Sequence, residues 1–345
     1  MSSAALFHTR YPIIQAPMAG VQDYQLAAAV SNAGGLGSLP CAMLTPAALS
    51  EQLARLAEVC DAPVNLNFFC HSPSAASASA ERRWRHRLQP YFEQFGGSTD
   101  GLAAGPARQP FSAEMAAVIA EYRPAVVSFH FGLPNEALLS RVQSWGTKVI
   151  ASATTVEEAL WLQAHGADGI IVQGLEAGGH RGHFLRSDLS LQSGLMALLP
   201  QVAAAVSLPV IAAGGIADRQ GVAAALKLGA SAVQVGTAFL LCDEAKTSEL
   251  HRQALQSPAA GHTTLTTLFS GRPARGIVNR VIRELGPRPE GVPAFPHASG
   301  AITALRQLAE AQHSSDFSPL WCGQNASGCR AIPAAALLEG LLPKS

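Results

Sequence analysis

The sequence predicts an α/β protein, a TIM (β/α)8 barrel joined to a smaller, mainly helical lid or substrate subdomain. Three observations carry that expectation. Eight short apolar runs alternate with segments of helical composition along the chain. Together they fill about 240 of the 345 residues, close to the ~250 that such barrels use. Glycine clusters follow the sixth, seventh and eighth runs, whereas a dinucleotide-binding sheet would carry its glycines after the first.

The runs lie at 12–18, 35–40, 63–69, 125–131, 148–153, 169–173, 209–213 and 232–236. Helical stretches at 45–60, 134–145, 155–165 and 218–228 separate several of them, and three begin on a capping residue: Thr45, Thr155 and Asp218. The early Gly34-Gly35-Leu36-Gly37 lacks the spacing of a dinucleotide fingerprint and precedes a strand instead of opening a helix. Two regions interrupt the repeat. Residues 71–110 are rich in Ser and Ala, then carry Arg82, Arg83, Arg85 and Arg87, and end in a Gly/Pro-rich stretch. They read as an insertion after the third strand, with the arginines on a solvated helix face. Residues 243–345 hold helical pieces and Pro-rich connections. The expected division is a barrel over 1–242, with its insertion at about 71–110, and a subdomain over 243–345 that covers the barrel mouth.

Composition narrows the function classes. Hydrophobic residues make up 48% and charged residues 14%, which suits a large buried core. Lys+Arg and Asp+Glu are equal at 24 each, so no global field draws the chain to nucleic acid or an anionic membrane. Any anionic ligand must be held by local groups. The six cysteines form no C-x-x-C pair and read as free thiols of a reducing compartment. No apolar run is long enough to span a bilayer. The expectation is a cytoplasmic protein, monomeric or homodimeric, acting on a small molecule.

In such a barrel the active site lies at the C-terminal ends of the strands. Here those ends are rich in glycine, amides and small residues, with no carboxylate pair and no Ser/His/Asp set. That suits a flat, uncharged ring bound through backbone groups and amides. Gly214-Gly215 and Gly236-Thr237 occupy the usual phosphate position, and Gly178 and Gly179 offer further N–H donors. Asn67 and Gln173 end the third and sixth strands, where an amide meets a ring edge or a hydroxyl. Met18 offers an apolar platform. Alternation puts Val126, Ser128 and His130 on one face, with the imidazole nearest the functional end and suited to proton transfer or anion binding. His180 is expected to line the mouth and His183 to be solvated. Their H-x-x-H lies in a glycine-rich loop rather than on a helix, so no metal site is expected.

Together PIIQAPMAG at 12–20, NLNFF at 65–69, FHFGLP at 129–134, QGLEAGGHRG at 173–182, AAGGIAD at 212–218 and QVGTAFL at 234–240 resemble the nitronate monooxygenase (2-nitropropane dioxygenase) family. The similarity runs from about residue 11 to 280, and weakly into LWCGQ at 320–324. It implies a TIM barrel, non-covalent FMN, and oxidation of alkyl nitronates by O2 to a carbonyl compound and nitrite. Carried over motif by motif, it places Met18, Asn67, Gln173, Gly178, Gly179, Gly214, Gly215, Gly236 and Thr237 around the flavin and makes His130 the active-site histidine. Cys322 stands where the family more often has alanine. Two competing functions share the scaffold. One is an NAD(P)H-dependent flavin reductase acting on quinones or enoyl thioesters. The other is a flavin-free isomerase or aldolase, disfavoured because Lys148 begins its strand at the wrong end for a Schiff base.

Overall fold

The computed structural model describes residues 7–102 and 108–343. Residues 103–107 of the expected insertion, and the ends 1–6 and 344–345, lie outside the described residues. The chain begins with β1 (Ile13–Gln15), α1 (Tyr24–Asn32), β2 (Gly37–Pro40), α2 (Pro46–Val59), β3 (Val64–Phe69), α3 (Ala78–Gln94), α4 (Ala113–Ala120) and β4 (Val126–His130). It continues with α5 (Glu136–Gln143), β5 (Lys148–Ala153), α6 (Val156–Ala164), β6 (Gly169–Gln173), β7 (Gly179–His180), α7 (Leu195–Ala205), β8 (Val210–Ala213), α8 (Arg219–Lys227) and β9 (Ala232–Val235). After these come α9 (Glu249–Gln256), β10 (Thr263–Thr266), β11 (Ala274–Ile277), α10 (Arg280–Leu285), α11 (Ser299–Ala311) and α12 (Ala334–Leu341).

Eight parallel strands pair in the order β1-β9-β8-β6-β5-β4-β3-β2. The two ends of that series meet through a parallel bridge between Ile14 and Leu36. Gln15 N–H donates to the Leu36 carbonyl, and Leu36 N–H to the Ile13 carbonyl, each at 2.9 Å. The sheet is therefore a nearly closed barrel, as the eight runs predict. All eight runs become strands. The three expected caps also form, with Thr45, Thr155 and Asp218 accepting from the N–H groups of Ala48, Glu158 and Gly221.

Strand alternation sorts the barrel residues into an outer face, which packs the helices, and an inner face that changes character along the axis. At the N-terminal end the inward residues are apolar: Ile14, Leu36, Val126, Ile150, Ile171, Ile211 and Ala232, gathered with Phe7. One step nearer the other end they are polar and still buried, with Ser38, Asn65, Asn67, Ser128, Ser152 and Gln173. Buried polar groups need partners, and four of these pair among themselves, Asn65 with the Ser38 hydroxyl and Asn67 with the Ser128 hydroxyl, each at 2.9 Å. One end of the barrel is thus a dry plug and the other a polar floor.

Above that floor lies a cap assembled from two distant parts of the chain. Trp84, Leu88 and Phe92 of α3 pack with Ile302, Leu305 and Phe317 into a second apolar core, and the Trp84 indole donates to the Ala298 carbonyl at 3.2 Å. Arg82, Arg83 and Arg87 lie on the exposed face of α3. The cap also contains an antiparallel sheet, β10-β11-β7, that the sequence pattern does not reveal. Its third strand is only two residues of the loop between β6 and α7. Too short to show a period, β7 exists because β11 is there to pair with it. Finally α12 returns to the barrel wall and packs against α1 and α8. Among the described residues no helix is long and apolar enough to cross a membrane.

Candidate active site

Strand β4 delivers His130 to the polar end of the barrel. The chain then turns sharply: Phe131 has φ 71° and Gly132 φ 93°. A bulky residue in the left-handed region is strained and persists only where its surroundings hold it. Here the Arg272 guanidinium lies over the Phe131 ring, 4.0 Å from its centroid.

Both nitrogens of His130 are engaged. Nε2 is 3.2 Å from the His180 carbonyl and Nδ1 is 3.0 Å from the Ser152 hydroxyl. A carbonyl only accepts, so Nε2 carries the proton and Nδ1 accepts from Ser152. Burial, helped by the backbone-anchored cations around it, lowers the His130 pKa to about 3, which keeps the ring neutral. Gly182 stands against that ring, where a Cβ would lie 2.8 Å from His130 Cε1. Gln173 joins the same arrangement: its NH2 donates to the His180 carbonyl at 2.9 Å and its oxygen accepts from Gly182 N–H at 2.8 Å.

His180 lies beside the Phe69, Phe131 and Phe295 rings. Its Nε2 is 2.8 Å from the Ser270 hydroxyl, which itself donates to the Arg272 carbonyl at 3.2 Å. His180 therefore donates from Nε2 and keeps Nδ1 unprotonated, and burial holds its pKa well below the ordinary value. His183 departs from expectation. It is not solvated but buried, at 5% exposure, with its pKa lowered to about 4 by burial. The Arg272 guanidinium donates to its backbone carbonyl.

Aromatic rings wall the mouth. The Phe69 and Phe131 centroids are 4.8 Å apart, Phe131 and Phe295 5.7 Å, His71 and Phe295 4.8 Å, and His180 and Trp321 5.7 Å. Phe295 and Trp321 come from the C-terminal segment, so barrel and cap both build this wall.

The glycines converge beside it. Gly214 (φ 125°) and Gly215 (φ 71°) form a turn after β8 that only glycine adopts without strain. Gly323 N–H donates to the Thr237 hydroxyl at 2.9 Å, and Asn325 donates to the Gly215 carbonyl at 3.0 Å. A Cβ on Gly178 would lie 2.6 Å from the Gly323 nitrogen, and one on Gly236 would touch Ala16 at 3.3 Å and the Met18 sulfur at 3.8 Å. Met18, Gly178, Gly214, Gly215, Gly236 and Thr237 thus gather at one end of the barrel with the 323–325 segment. Asn67 is also there, but its NH2 is committed inside the barrel to Ser128, at 2.9 Å to the hydroxyl. Cys322 lies beneath these loops, buried, its thiol pushed up to about 12 by burial and hence neutral.

Several contributors escape the sequence reading. Ser152 shares a strand face with Ile150, so alternation alone could have placed it beside His130. Arg181 is fully buried; it donates to the Gln173 carbonyl at 2.8 Å, the Gly174 carbonyl at 2.6 Å and the Gln192 side chain at 2.8 Å. Arg275 adds a bond to the Leu175 carbonyl at 2.8 Å. The Glu176 carboxylate meanwhile accepts from Leu195 N–H at 2.9 Å and so caps α7, whose own cap position is Gly194. Together these three fix the loop that presents Gly178 and Gly179. No period marks them: Arg275 and Glu176 bond backbone atoms 100 and 19 residues away, and the partners of Arg181, 7 to 11 residues off, lie at a strand end and in irregular loop rather than on one helix face. Among the described residues no group of three or more His, Cys, Asp or Glu has metal-holding geometry.

Fold and site define a capped (β/α)8-barrel enzyme whose acid-poor, imidazole-lined mouth adjoins a glycine cradle. A family model for nitronate monooxygenase matches residues 2–344. A nitronate monooxygenase of Pseudomonas aeruginosa is 44% identical over 349 residues, spanning 98% of this chain and 97% of the relative. One of Paraburkholderia phytofirmans is 43% identical, spanning 96% and 91%. Among solved structures, a nitroalkane oxidase from Streptomyces ansochromogenes superposes with a TM-score of 0.90 at 39% identity, covering 98% of this chain and 96% of that one. FabK from Thermotoga maritima gives 0.72 at 25% identity, covering 99% and 94%. The chain belongs to the nitronate monooxygenase family and is an oxidoreductase.

Proposed function

We propose that the protein oxidises alkyl nitronates, such as propionate 3-nitronate, with O2 to a carbonyl compound and nitrite, using non-covalent FMN. The observation that carries this reading is the juxtaposition of a neutral, hydrogen-bonded imidazole with a glycine cradle at the polar end of the barrel. The residues fit the cofactor. Gly214 and Gly215 open a turn that a phosphate requires, and two buried carbonyl oxygens of the polar floor, Asn65 Oδ1 and Gln234 Oε1, have no partner among the described residues. Gly214, Gly215, Gly236 and Thr237 would hold the phosphate. Met18, Asn67, Gln173, Gly178 and Gly179 would surround the ring. FMN supplies the electron chemistry that no side chain here provides.

The chain's own residues then bind, orient and exclude water. His130 stays neutral across ordinary pH with both nitrogens engaged, Nδ1 by Ser152 and Nε2–H by the His180 carbonyl. It is therefore a poor base toward a carbon-bound proton, and it would contact a nitronate oxygen by sharing its Nε2–H with that carbonyl. A substrate that arrives already deprotonated matches that tautomer better than a neutral nitroalkane. Ser152 fixes the tautomer from behind. The Phe69, Phe131 and Phe295 rings keep water from the site and strengthen the polar contacts inside it. His180 borders the substrate.

An anaerobic measurement tests the reading. The visible spectrum of purified protein is recorded, then propionate 3-nitronate is added to one sample and NADH to another. The expected result is a flavin spectrum bleached by the nitronate and not by NADH. Bleaching by NADH alone would transfer the protein to the reductase reading, and a colourless protein would remove the cofactor assignment.

A further inference from the structure

The first turn of α6 holds a buried carboxylate that takes part in no ion pair among the described residues. Glu158 is 2% exposed, and its two oxygens are divided between two segments of chain. Oε2 accepts from the Thr154 N–H at 2.7 Å and the Thr154 hydroxyl at 2.8 Å, where β5 ends. Oε1 accepts from the Phe184 N–H at 2.6 Å and the Leu185 N–H at 3.3 Å, in the loop after β7. Helix capping does not account for this set. The N-cap Thr155 accepts from the Glu158 N–H at 3.2 Å, and in a capping box the glutamate would reach back to the N-cap N–H. Glu158 instead bonds the residue before the cap, and its second oxygen leaves the helix altogether.

Each segment that Glu158 holds carries one partner of His130. Thr154 lies just beyond Ser152, whose hydroxyl is 3.0 Å from Nδ1. Phe184 lies just beyond His180, whose carbonyl is 3.2 Å from Nε2. Strand and loop meet at Gly182, where a Cβ would lie 2.8 Å from His130 Cε1 and 3.0 Å from Ser152 Cβ. Gln173 steadies the loop alone, through the His180 carbonyl and the Gly182 N–H. Among the described residues, Glu158 is the one side chain besides His130 itself that bonds both segments. What each ring nitrogen faces decides the tautomer of an imidazole. With the two bonds at 3.0 and 3.2 Å, near the long end of the ordinary range, a small separation of the segments would release one of them.

We propose that Glu158 is a positioning residue, a clasp that sets the spacing between the Ser152 hydroxyl and the His180 carbonyl and so fixes His130 as the Nε2–H tautomer. The proposal rests on the reading of His130 as the group that meets the nitronate, and its test separates the two.

Nitrogen NMR of holoenzyme carrying isotope-labelled histidine distinguishes the tautomers, with His130 assigned by the signals missing from His130→Asn. Wild-type His130 should be unprotonated at Nδ1. Glu158→Gln keeps the shape but turns an NH2 toward one set of donors, so that segment is released. The expected result is a second, Nδ1–H form of His130. With it, kcat for a nitronate should fall about tenfold, with KM within about twofold and flavin per protein unchanged. Thr154→Val removes one bond, leaves the carboxylate in place and should move both readouts the same way by less, so the test stands even where Glu158→Gln folds poorly. Glu157→Gln breaks only the exposed pair with Arg186 and should match wild type. Wild-type His130 protonated at Nδ1, a fall in kcat with the His130 signals unchanged, variants that match wild type, or the same shift in Glu157→Gln would each overturn the clasp and leave nitronate oxidation standing. A tautomer that depends on Glu158 in a protein that oxidises no nitronate would support the clasp and sink the nitronate reading instead.

Discussion

At the scale of single residues, His130 shows how tertiary contacts define a side chain's chemistry. Its neighbours leave it one proton, on Nε2, and a low affinity for a second. His130→Asn keeps a donor of similar reach but loses the imidazole. Steady-state turnover of a nitronate is expected to fall about 10- to 100-fold, the size of one hydrogen bond to a charged group, while flavin absorbance per protein stays at the wild-type value. Flavin lost in proportion to activity would assign His130 to structure instead. Ser152→Ala removes the hydroxyl that fixes the tautomer, so kcat should fall by about tenfold with little change in KM, the size of one hydrogen bond. His180 and His183, three residues apart, meet different fates, one bordering the mouth beside Ser270 and Trp321 and one buried with its carbonyl held by Arg272.

The elements carry their own constraint, most plainly where α1 crosses β2. A Cβ on Gly37 would lie 1.9 Å from the Ala27 carbonyl, a backbone atom of α1 that no rotamer change can move. Gly37→Ala must therefore push the helix off the barrel wall. A loss of about 3 kcal/mol, at the upper end of ordinary overpacking, is expected from urea denaturation. A midpoint equal to wild type would mean that α1 docks less closely than it does here. At the other end of the barrel, the two-residue β7 ties the loop after β6 to the cap hairpin, so the cap's placement and the position of His180 are one structural fact.

For the whole molecule, the buried imidazoles set a pH dependence. The pKa values of His130, His183 and His251 are lowered by burial to about 3, about 4 and about 4, against about 6.5 in an unfolded chain. The unfolded state therefore binds more protons than the folded state below pH 6.5. Stability is complete above that value and is lost as pH falls through the window toward the folded pKa values. Each group contributes a slope of roughly 1.4 kcal/mol per pH unit within it. Scanning calorimetry should show a Tm nearly constant from pH 7 to 8 and falling steeply from pH 6.5 to 5. A Tm that holds or rises on acidification to pH 5 would contradict three neutral buried imidazoles.

The barrel was legible in the sequence because strands buried on both faces must be apolar runs, and helices between them must begin with caps; Thr45, Thr155 and Asp218 announce themselves locally. Much of the site's inventory was legible too, since Gly214-Gly215 and His130 stand at predictable strand ends. What only the tertiary structure decided is how those residues are held. The tautomer of His130 depends on Ser152 and on the carbonyl of His180, and the walls of the mouth on Phe295 and Trp321. Arg272 and Arg275 act through a ring and carbonyls far along the chain, and such contacts leave no period or spacing behind. A sequence displays what a residue offers its own neighbours in the chain; the environment that sets its charge and its proton is made by residues that only folding brings near.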